Sequence, residues 1–392
     1  MPAAPTLVCS DLLATIEQHA AEADLTRSLH PDVVSALKAS DLVRMSATRG
    51  LAGTEATVLQ IAHELEAIAP VCGSTAWVLW NHLGVYHLVV GELGPSRQDL
   101  LHEVIANRSM VAFPGGAGTR ISGEQDGDDF RLAGQGAFGT GSRYAEWMAT
   151  AFVVPSPGQP DGPPDLRFTL TPTDAEGVRI DPNWDGAALR ASATDDVYFE
   201  DVTIPAERVV RFQPRSGLRD PAREMIAPRY REDWVAFSVL WLGAMAVGVA
   251  QAALDDAAAS IRDRSAVGGT RMTELPIAHA NLGQARAQID AARASFEAGC
   301  CETDARIDAC GVPSEADYLR QMSLGMIAVE LCETAMGLVQ RVLGGNGLRE
   351  SGRFHRLVRD FQAIPLHIIV HRDRVSEALG RNLLGLEPTN RF

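Results

Sequence analysis

The sequence is poor in lysine and lacks the cysteine and histidine patterns that bind metals. Lys38 is the only lysine among 35 basic residues. A Schiff-base or phosphate-loop lysine is therefore excluded unless Lys38 supplies it, and no glycine-rich loop precedes Lys38. The six cysteines form no CxxC pair and no Cys/His cluster with zinc spacing, so we expect reduced thiols and no metal site. HExxH motifs and Ser/His/Asp arrangements are absent as well.

Positive charge is also scarce, since 35 Lys and Arg stand against 50 Asp and Glu, for a net charge of −15. This balance argues against a nucleic-acid partner and against an anionic membrane surface. The first twelve residues contain no basic segment followed by an apolar one, so a cytoplasmic location is expected. Residues 234–254 carry no charge, but they are rich in alanine and glycine. We interpret them as a buried bundle helix rather than a membrane span, with Gly243 and Gly248 allowing close helix approach.

Helical periodicity dominates both ends of the chain. Apolar residues at three- and four-residue spacing predict N-terminal helices over 12–20, 31–40 and 56–68, then one through 77–90 that Ser74 or Thr75 would cap. Residues 111–212 instead contain short apolar runs between Gly, Pro and Asp, which is typical of strands, with an exposed loop over 156–165. Long helices are predicted again over 235–261, 276–302, 314–343 and 365–383.

This order predicts a mainly α protein with a central β domain. We place an N-terminal helical domain at 1–110, a middle β domain at 111–224 and a C-terminal helical bundle at 225–392.

One glycine-containing segment is close to a dinucleotide-binding pattern. Residues 139–145 approach the dinucleotide pattern GxGxxG/A, but the last small residue comes one position late and no βαβ unit surrounds them. Two interpretations remain. The segment is a turn between strands, or it is a loop whose backbone N–H groups and Thr140 and Ser142 hydroxyls hold the polar edge of a cofactor.

Two histidines stand out. His82 and Tyr86 lie four residues apart on the predicted 77–90 helix and share one face, either as a site or as a satisfied core pair. His367 follows Pro365 in what is predicted to be the first turn of the last helix, where a structural histidine is the ordinary alternative.

Two further features would suit an anion. Arg353, Arg356 and Arg359 recur every three residues and could present guanidinium groups to a phosphate, or could form a solvated helix face. Residues 344–347 (Gly-Gly-Asn-Gly) could bring backbone N–H groups to an anion, or could cap the preceding helix.

Five short segments, taken in order, resemble the acyl-CoA dehydrogenase superfamily. They are residues 138–147, 188–205, 264–268, 344–347 and 359–367. The resemblance implies an N-terminal helical domain, a middle β-barrel or sandwich and a C-terminal four-helix bundle. Dehydrogenases of this superfamily place a Tyr-Glu pair where this chain has His367 and Ile368, and their alternative glutamate aligns near Ser238. The base that removes the substrate α-proton is therefore missing at both positions.

The chain is more similar to the flavin-dependent, two-component monooxygenase branch, which includes dibenzothiophene monooxygenase. Many members of that branch have Arg-Asp or Arg-Asn with a histidine eight residues after the arginine, as His367 follows Arg359. Dibenzothiophene monooxygenase also has a His and a Tyr four apart after a serine, like His82 and Tyr86, and a Phe-x-Ser-Gly flavin loop like residues 138–141. The resemblance therefore implies catalytic roles for His367, His82 and Tyr86.

The same resemblance implies reduced FMN or FAD from a separate flavin reductase, with O₂ forming a C4a-hydroperoxyflavin. Arg264 would reach the flavin of a neighbouring subunit in a homotetramer. An apolar pocket rimmed by Trp77, Trp80 and Trp184 would suit a small aromatic or natural-product substrate, oxygenated at carbon, nitrogen or sulfur. The residues implied to bind flavin are Phe138, Thr140, Gly141, Ser142, Ser192, Arg264, Gly344, Gly345 and Arg359.

Two other functions stay open. One is an acyl-CoA dehydrogenase or oxidase with a relocated base. The other is a non-catalytic member of the fold that serves as a binding or assembly protein.

Overall fold

The computed structural model describes residues 7–155, 164–213, 218–350 and 352–387, so most of the loop expected over 156–165 lies outside the described residues. The N-terminal helices are α1 (Ser10–Thr26), α2 (Pro31–Ala39), α3 (Val58–Ile68), α4 (Gly73–Leu93) and α5 (Gln98–Ala106). Helix α3 begins with a reciprocal capping box between Thr57 and Gln60. The expected cap of α4 is wrong, because Cys72 is the N-cap residue and makes no side-chain cap, while Ser74 bonds elsewhere.

The strands form one mixed sheet in the middle of the chain. They are β1 (Val111–Ala112), β2 (Arg120–Asp126), β3 (Asp129–Gly139), β4 (Trp147–Val154), β5 (Asp165–Pro172), β6 (Val178–Asp181), β7 (Asp195–Pro205) and β8 (Val210–Arg211). Their order is β6-β7-β3-β2-β4-β5-β8, and β1 pairs with β4. Gly136 and Gly139 of β3 pair opposite Val197 and Asp195 of β7, with a register shift between the two pairs. This shift lies next to the end of β3, where the chain leaves the ladder.

The C-terminal helices are α6 (Trp234–Ser260), α7 (Pro276–Asp308), α8 (Glu315–Leu343), α9 (Arg353–Phe361), α10 (Ala363–Leu366) and α11 (Arg372–Leu383). Helices α6 and α8 are long and apolar enough to cross a membrane by composition, but the most apolar windows are 89% and 56% buried inside the protein. Helix α6 is thus a core helix. A Cβ at Gly248 would lie 2.2 Å from the Glu66 carbonyl of α3, so this close approach requires glycine.

The single last helix predicted over 365–383 is wrong. The chain forms the short α10, leaves the helix at His367 (φ −68°, ψ 133°), and starts α11 only at Arg372. Pro365 belongs to the short turn of α10 and not to the start of a long helix. The break places His367 in extended backbone between two helices, where its ring turns towards α4.

Candidate active site

An open cleft of about 460 Å³ lies on the β domain, beside the end of β3. Two aromatic rings stand on its walls, since Phe138 and Trp184 are 6.3 Å apart between ring centroids. Phe138 adopts a positive φ of 58° and is 51% exposed, although it is a large apolar side chain. An exposed aromatic ring on strained backbone is typical of a surface that receives a flat ligand. The other lining residues are Ala117, Gly118, Gln135, Ala137, Asn183, Asp185, Gly186, Thr194 and Asp196.

The floor of the cleft is organised by a cluster of hydroxyls. The Thr194 hydroxyl lies 3.1 Å from that of Thr140 and 2.7 Å from that of Ser192, so Thr194 joins the two residues. Ser142 is fully buried and donates to the Ala193 carbonyl (3.1 Å). Neither the Ser142 nor the Ser192 side chain has exposed surface, and the flavin contacts predicted for these two residues stay predictions. They position the loop, and Thr194 is the residue that lines the cleft.

The loop packs directly on helix α4. Gly141 has φ 77° and donates its N–H to the Ser192 carbonyl (2.9 Å), and a Cβ there would be 3.3 Å from Val78. The Ser74 hydroxyl, in the first turn of α4, accepts the N–H of Ala191 (3.1 Å). These bonds hold the cleft floor against the half of α4 that carries Trp77 and Trp80.

His367 lies against the same half of α4. Its ring meets Trp77 and Trp80 edge-on, with centroid distances of 5.4 and 5.1 Å. The Nδ1 atom accepts the Ile369 N–H (3.4 Å), so the neutral ring carries its proton on Nε2. Burial lowers the pKa of His367 to about 4, and the imidazole is neutral at pH 7. Among the described residues Nε2 has no hydrogen-bond partner, which leaves one donor unpaired.

Asp360 connects the two sides of the site. Its carboxylate accepts the Leu189 N–H (2.9 Å), and the Leu189 carbonyl accepts the Trp184 indole N–H (3.0 Å). Leu189 has a positive φ of 49°, so Asp360 fixes a strained turn between the Trp184 wall and helix α9. Burial raises the pKa of Asp360 from 3.8 to about 6, more than the Leu189 amide and the nearby Arg359 lower it.

Asp360→Asn is expected to stabilise the fold at neutral pH. The pKa of Asp360 is higher in the folded than in the unfolded protein, so ionisation of its carboxylate destabilises the fold. This destabilisation is absent below pH 4 and complete above pH 6. Asparagine keeps the acceptor for Leu189 without the charge. Urea unfolding at pH 8 should give a gain on the order of 2–3 kcal/mol that vanishes near pH 4. A variant that is less stable at pH 8 would contradict this interpretation.

The catalytic roles of His82 and Tyr86 stay predictions, but both side chains are buried and their polar atoms are hydrogen-bonded to backbone groups. His82 is 1% exposed, its Nδ1 accepts the Val111 N–H (2.9 Å), and its Nε2 donates to the Val43 carbonyl (2.8 Å). Tyr86 is fully buried and donates to the Leu101 carbonyl (2.9 Å). Burial lowers the pKa of His82 to about 4 and raises the pKa of Tyr86 well above 10. The pair is a satisfied core pair that joins α4 to its neighbours.

Arg359, whose flavin contact stays a prediction, is directed to another part of the chain. Its guanidinium forms an ion pair with Asp24 of α1 and is 15% exposed. Arg353 turns instead to the Pro70 carbonyl (3.3 Å) and to Asp256 (3.5 Å). The three arginines therefore do not converge on one anion, although their spacing allowed it. Trp184 likewise stands by Phe138 and not with Trp77 and Trp80, so the expected three-tryptophan rim is divided.

Arg264, Gly344 and Gly345 lie at the ends of bundle helices and are not among the residues that line the cleft. Gly344 has φ 57° and caps α8 through its N–H to Gln340, which is the capping alternative for this segment. Arg264 is half-buried in the turn after α6, where its guanidinium lies 3.4 Å from the Ser260 hydroxyl.

Three parts of the site were missed from the sequence. Thr194 follows the Ser192 motif by two residues. The glycine-rich segment 114–118 packs on β3, with the Gly116 N–H donating to the Ala137 carbonyl (2.9 Å). Arg190, between the two anchored residues 189 and 191, is half-buried and its Nε has no partner within the described parts of the chain. The glycine-rich segment could have been found from the sequence, because residues 114–118 read Pro-Gly-Gly-Ala-Gly.

Comparison with known proteins gives this site its context. Residues 240–372 match the acyl-CoA dehydrogenase C-terminal domain family. The chain is 28% identical over 289 residues to HsaA, the oxygenase subunit of a flavin-dependent monooxygenase from Rhodococcus jostii (strain RHA1), with 72% of each chain covered. Within the chain, the match to that family is confined to the C-terminal bundle.

Two further similar proteins cover nearly the whole chain. The oxygenase component of an FADH2-dependent resorcinol hydroxylase from Rhizobium sp. (strain MTP-10005) is 25% identical, covering 98% of this chain and 94% of its own. XiaF from Streptomyces sp., solved in complex with FADH2 and glycerol, superposes with a TM-score of 0.88 at 22% identity, covering 97% and 95%. The predicted acyl-CoA dehydrogenase-like fold is confirmed, and the two curated relatives named here are oxygenase components of flavin-dependent enzymes, the class that the sequence predicted.

Proposed function

We propose that this chain is the oxygenase component of a two-component monooxygenase that acts on a small aromatic substrate. Its relatives include a resorcinol hydroxylase and indole-3-acetate monooxygenases, and the substrates in these names are small aromatic molecules. In this proposal a separate reductase supplies reduced FMN or FAD by diffusion. The enzyme is a cytoplasmic homotetramer, divided into an N-terminal helical domain (1–110), a β domain (111–224) and a helical bundle (225–392).

The cleft beside Phe138 fits the ring system of a flavin. Its volume of about 460 Å³ lies in the usual range for small-molecule sites, and its aromatic walls suit a flat heterocycle. The backbone N–H groups of Ala117 and Gly118 line the cleft and make no hydrogen bond to any part of the chain that the structure describes, so both can serve a ligand. Phe138, Thr140, Gly141 and Thr194 would hold the flavin. Reduced flavin, when bound, supplies the electrons that activate O₂.

Phosphate binding is assigned to other parts of the assembly. The cleft itself is lined by Asp185 and Asp196 and by no arginine. Arg264 of a neighbouring subunit would supply the missing positive charge, and the Gly344–Gly345 turn lies at the same end of the bundle. A single subunit would then bind flavin poorly.

His367 is the catalytic residue in this proposal. A neutral imidazole with a free Nε2–H can donate a hydrogen bond to oxygen and hold the proton that the reaction requires. Trp77 and Trp80 pack edge-on against the ring, with centroid distances of 5.4 and 5.1 Å, and hold it in place. The observation that carries the proposal is this unpaired donor, which lies against α4 where the cleft floor also packs.

Rapid mixing tests the proposal. Purified protein is loaded anaerobically with chemically reduced FMN or FAD, mixed with oxygenated buffer and followed from the near-ultraviolet to the blue. We expect a species distinct from both reduced and oxidised flavin, and a shorter lifetime for it in His367→Ala. His102→Ala is the matched control, because His102 is exposed on α5. Direct appearance of oxidised flavin in the wild type would contradict the oxygenase assignment.

One observation favours a second function. A probable acyl-CoA dehydrogenase from Mycobacterium leprae is 24% identical over 354 residues, and the bundle matches the dehydrogenase C-terminal domain family. Against it, the two base positions hold Ser238, which is fully buried, and Ile368, which has no ionisable group. Anaerobic bleaching of bound oxidised flavin by acyl thioesters would establish the dehydrogenase, and no bleaching is expected.

A further inference from the structure

Asn81 differs from every other residue of helix α4. The structure describes all 21 residues of this helix, and 20 of them are buried, whereas Asn81 keeps part of its surface accessible. The surrounding elements therefore leave their widest access to α4 at Asn81, in the middle of a helix that is otherwise covered along its whole length.

The carboxamide of Asn81 is unpaired. Its Oδ1 atom is buried and has no hydrogen-bond partner, and its Nδ2 atom donates to none of the residues that the structure describes. The neighbouring Trp80 is satisfied, because its indole N–H donates to the Ser238 carbonyl (3.1 Å). An unpaired amide inside a buried helix is unfavourable for both the helix and the core. Such a group in a folded protein commonly serves a ligand or an ordered water molecule.

Helix geometry directs Asn81 towards the proposed active site. Trp77 and Val78 precede it by four and three residues, so they share its face, and a helical side chain leans back over that preceding turn. Trp77 meets the His367 ring at 5.4 Å between centroids. Val78 lies beneath the cleft floor, since a Cβ at Gly141 would be 3.3 Å from it. Asn81 thus lies between the contact to His367 and the contact to the flavin loop.

Aromatic rings border the other side of Asn81. Gly84, three residues later, leaves that side of the face without a side chain, and a Cβ there would be 3.5 Å from the Trp234 ring. Trp234 meets Phe113 with centroids 6.4 Å apart and planes at 74°. Both rings are half-buried. The approach to Asn81 is therefore bordered by Trp77, Trp234 and Phe113, which suits a flat aromatic ligand.

The charges of the two helices favour a neutral ligand at this position. Helix α4 carries one charged residue, Glu92, which lies at its far end, and residues 234–254 of α6 carry none. Neither helix offers a carboxylate ligand a counter-charge near Asn81. The buried Oδ1 atom is an acceptor, so it requires a donor from the ligand. An O–H or N–H group on an aromatic ring supplies that donor without a charge.

We propose that Asn81 is a specificity-determining residue that accepts a hydrogen bond from a neutral O–H or N–H group on the aromatic substrate. The bond would hold the ring against α4, between His367 and the flavin loop. This inference rests on the proposed monooxygenase function and adds the substrate class to it, namely aromatic rings that carry a hydrogen-bond donor.

Matched probe pairs measure this hydrogen bond. Resorcinol and its dimethyl ether share one ring, indole and N-methylindole share another, and only the first member of each pair has a donor. Dissociation constants are measured by titration calorimetry on the full chain in the presence of FMN or FAD. The wild type should bind at least one donor probe about 10-fold or more tightly than its methylated partner, because the partner leaves a buried acceptor unpaired.

Matched variants assign the discrimination to Asn81. Asn81→Leu removes the amide with little change in volume, and Asn81→Ala also makes room for the added methyl group, so both should erase the difference within the pair. Gln284→Leu makes the same amide-to-leucine change at an exposed position of α7 and should retain the difference. Asn81→Leu should not lower the melting temperature, because the side chain makes no hydrogen bond within the fold.

The outcomes that would overturn the inference are specific. They are a wild type that binds neither donor probe or does not distinguish the pairs, and a difference that persists in both Asn81 variants. A lower melting temperature in Asn81→Leu with the difference retained would make Asn81 a structural residue. The rapid-mixing experiment separates this result from the parent proposal. A wild type that forms the transient flavin species but does not distinguish the probes contradicts only the role of Asn81.

Discussion

Replacing His367 by phenylalanine is expected to separate flavin oxidation from product formation. Phenylalanine keeps an aromatic ring between Trp77 and Trp80 but removes the Nε2–H donor. Proton transfer by a positioned side chain contributes about 10²–10⁴-fold in rate. We therefore expect product formation to fall by about 10²-fold while flavin is still oxidised and the electrons appear as hydrogen peroxide. The measurement is the ratio of product to peroxide per reduced flavin consumed.

Three variants separate the donor from the packing of the ring. His367→Ala removes both the donor and the packing on Trp77 and Trp80. It should divert at least as much of the reduced flavin to peroxide as His367→Phe does. His367→Asn returns an N–H donor and should recover part of the coupling. An unchanged product-to-peroxide ratio in His367→Phe would show that the imidazole nitrogen has no catalytic part and that the ring only fills space.

The pH dependence gives an independent check of the same role. The pKa of His367 is lowered to about 4 by burial, so the ring is neutral throughout pH 6–8. Ionisation of His367 should therefore leave the product-to-peroxide ratio unchanged across that range. The ratio should change through this residue only as the pH falls towards 4. An inflection near pH 6.5 that disappears in His367→Asn would mean that the imidazole is solvated in the working enzyme.

The fold was accessible from the sequence because its helices obey simple patterns. Helices α2 and α3 present regular apolar faces, and the uncharged length of α6 with its glycines indicated a buried helix. The last helix was misread because a proline near a helix start and a proline in a short turn give the same local pattern. Only the backbone at His367, with ψ 133°, distinguishes them.

The site was less accessible, because what decides a polar residue's role lies far along the chain. The His82–Tyr86 spacing shows that the two residues share a face, but it cannot show that both His82 nitrogens meet backbone groups 39 and 29 residues away. Arg359 looked free for a phosphate because its partner, Asp24, is 335 residues distant.

His82→Ala is expected to lower stability strongly and to leave the rate per folded molecule unchanged. The change strands the buried Val43 carbonyl and the Val111 N–H and opens a cavity, at a cost of about 3–5 kcal/mol. Tyr86→Phe is the milder companion on the same face of α4, because it removes one hydroxyl bonded to the Leu101 carbonyl and should cost about 1 kcal/mol. Urea unfolding measures both, and product formation is normalised to the folded fraction.

The pH response of the same variant identifies the cause of the loss. The pKa of His82 is lowered to about 4 in the folded protein. As the pH falls from 6.5 towards 4, the wild-type protein therefore loses about 3 kcal/mol of stability through this residue. His82→Ala lacks this loss, and the difference in stability between the two proteins should narrow at pH 4. His87, with a pKa of about 3, is present in both and cancels in the comparison. A stable His82→Ala protein that is about 10²-fold slower per folded molecule would instead make this histidine a proton-transfer group.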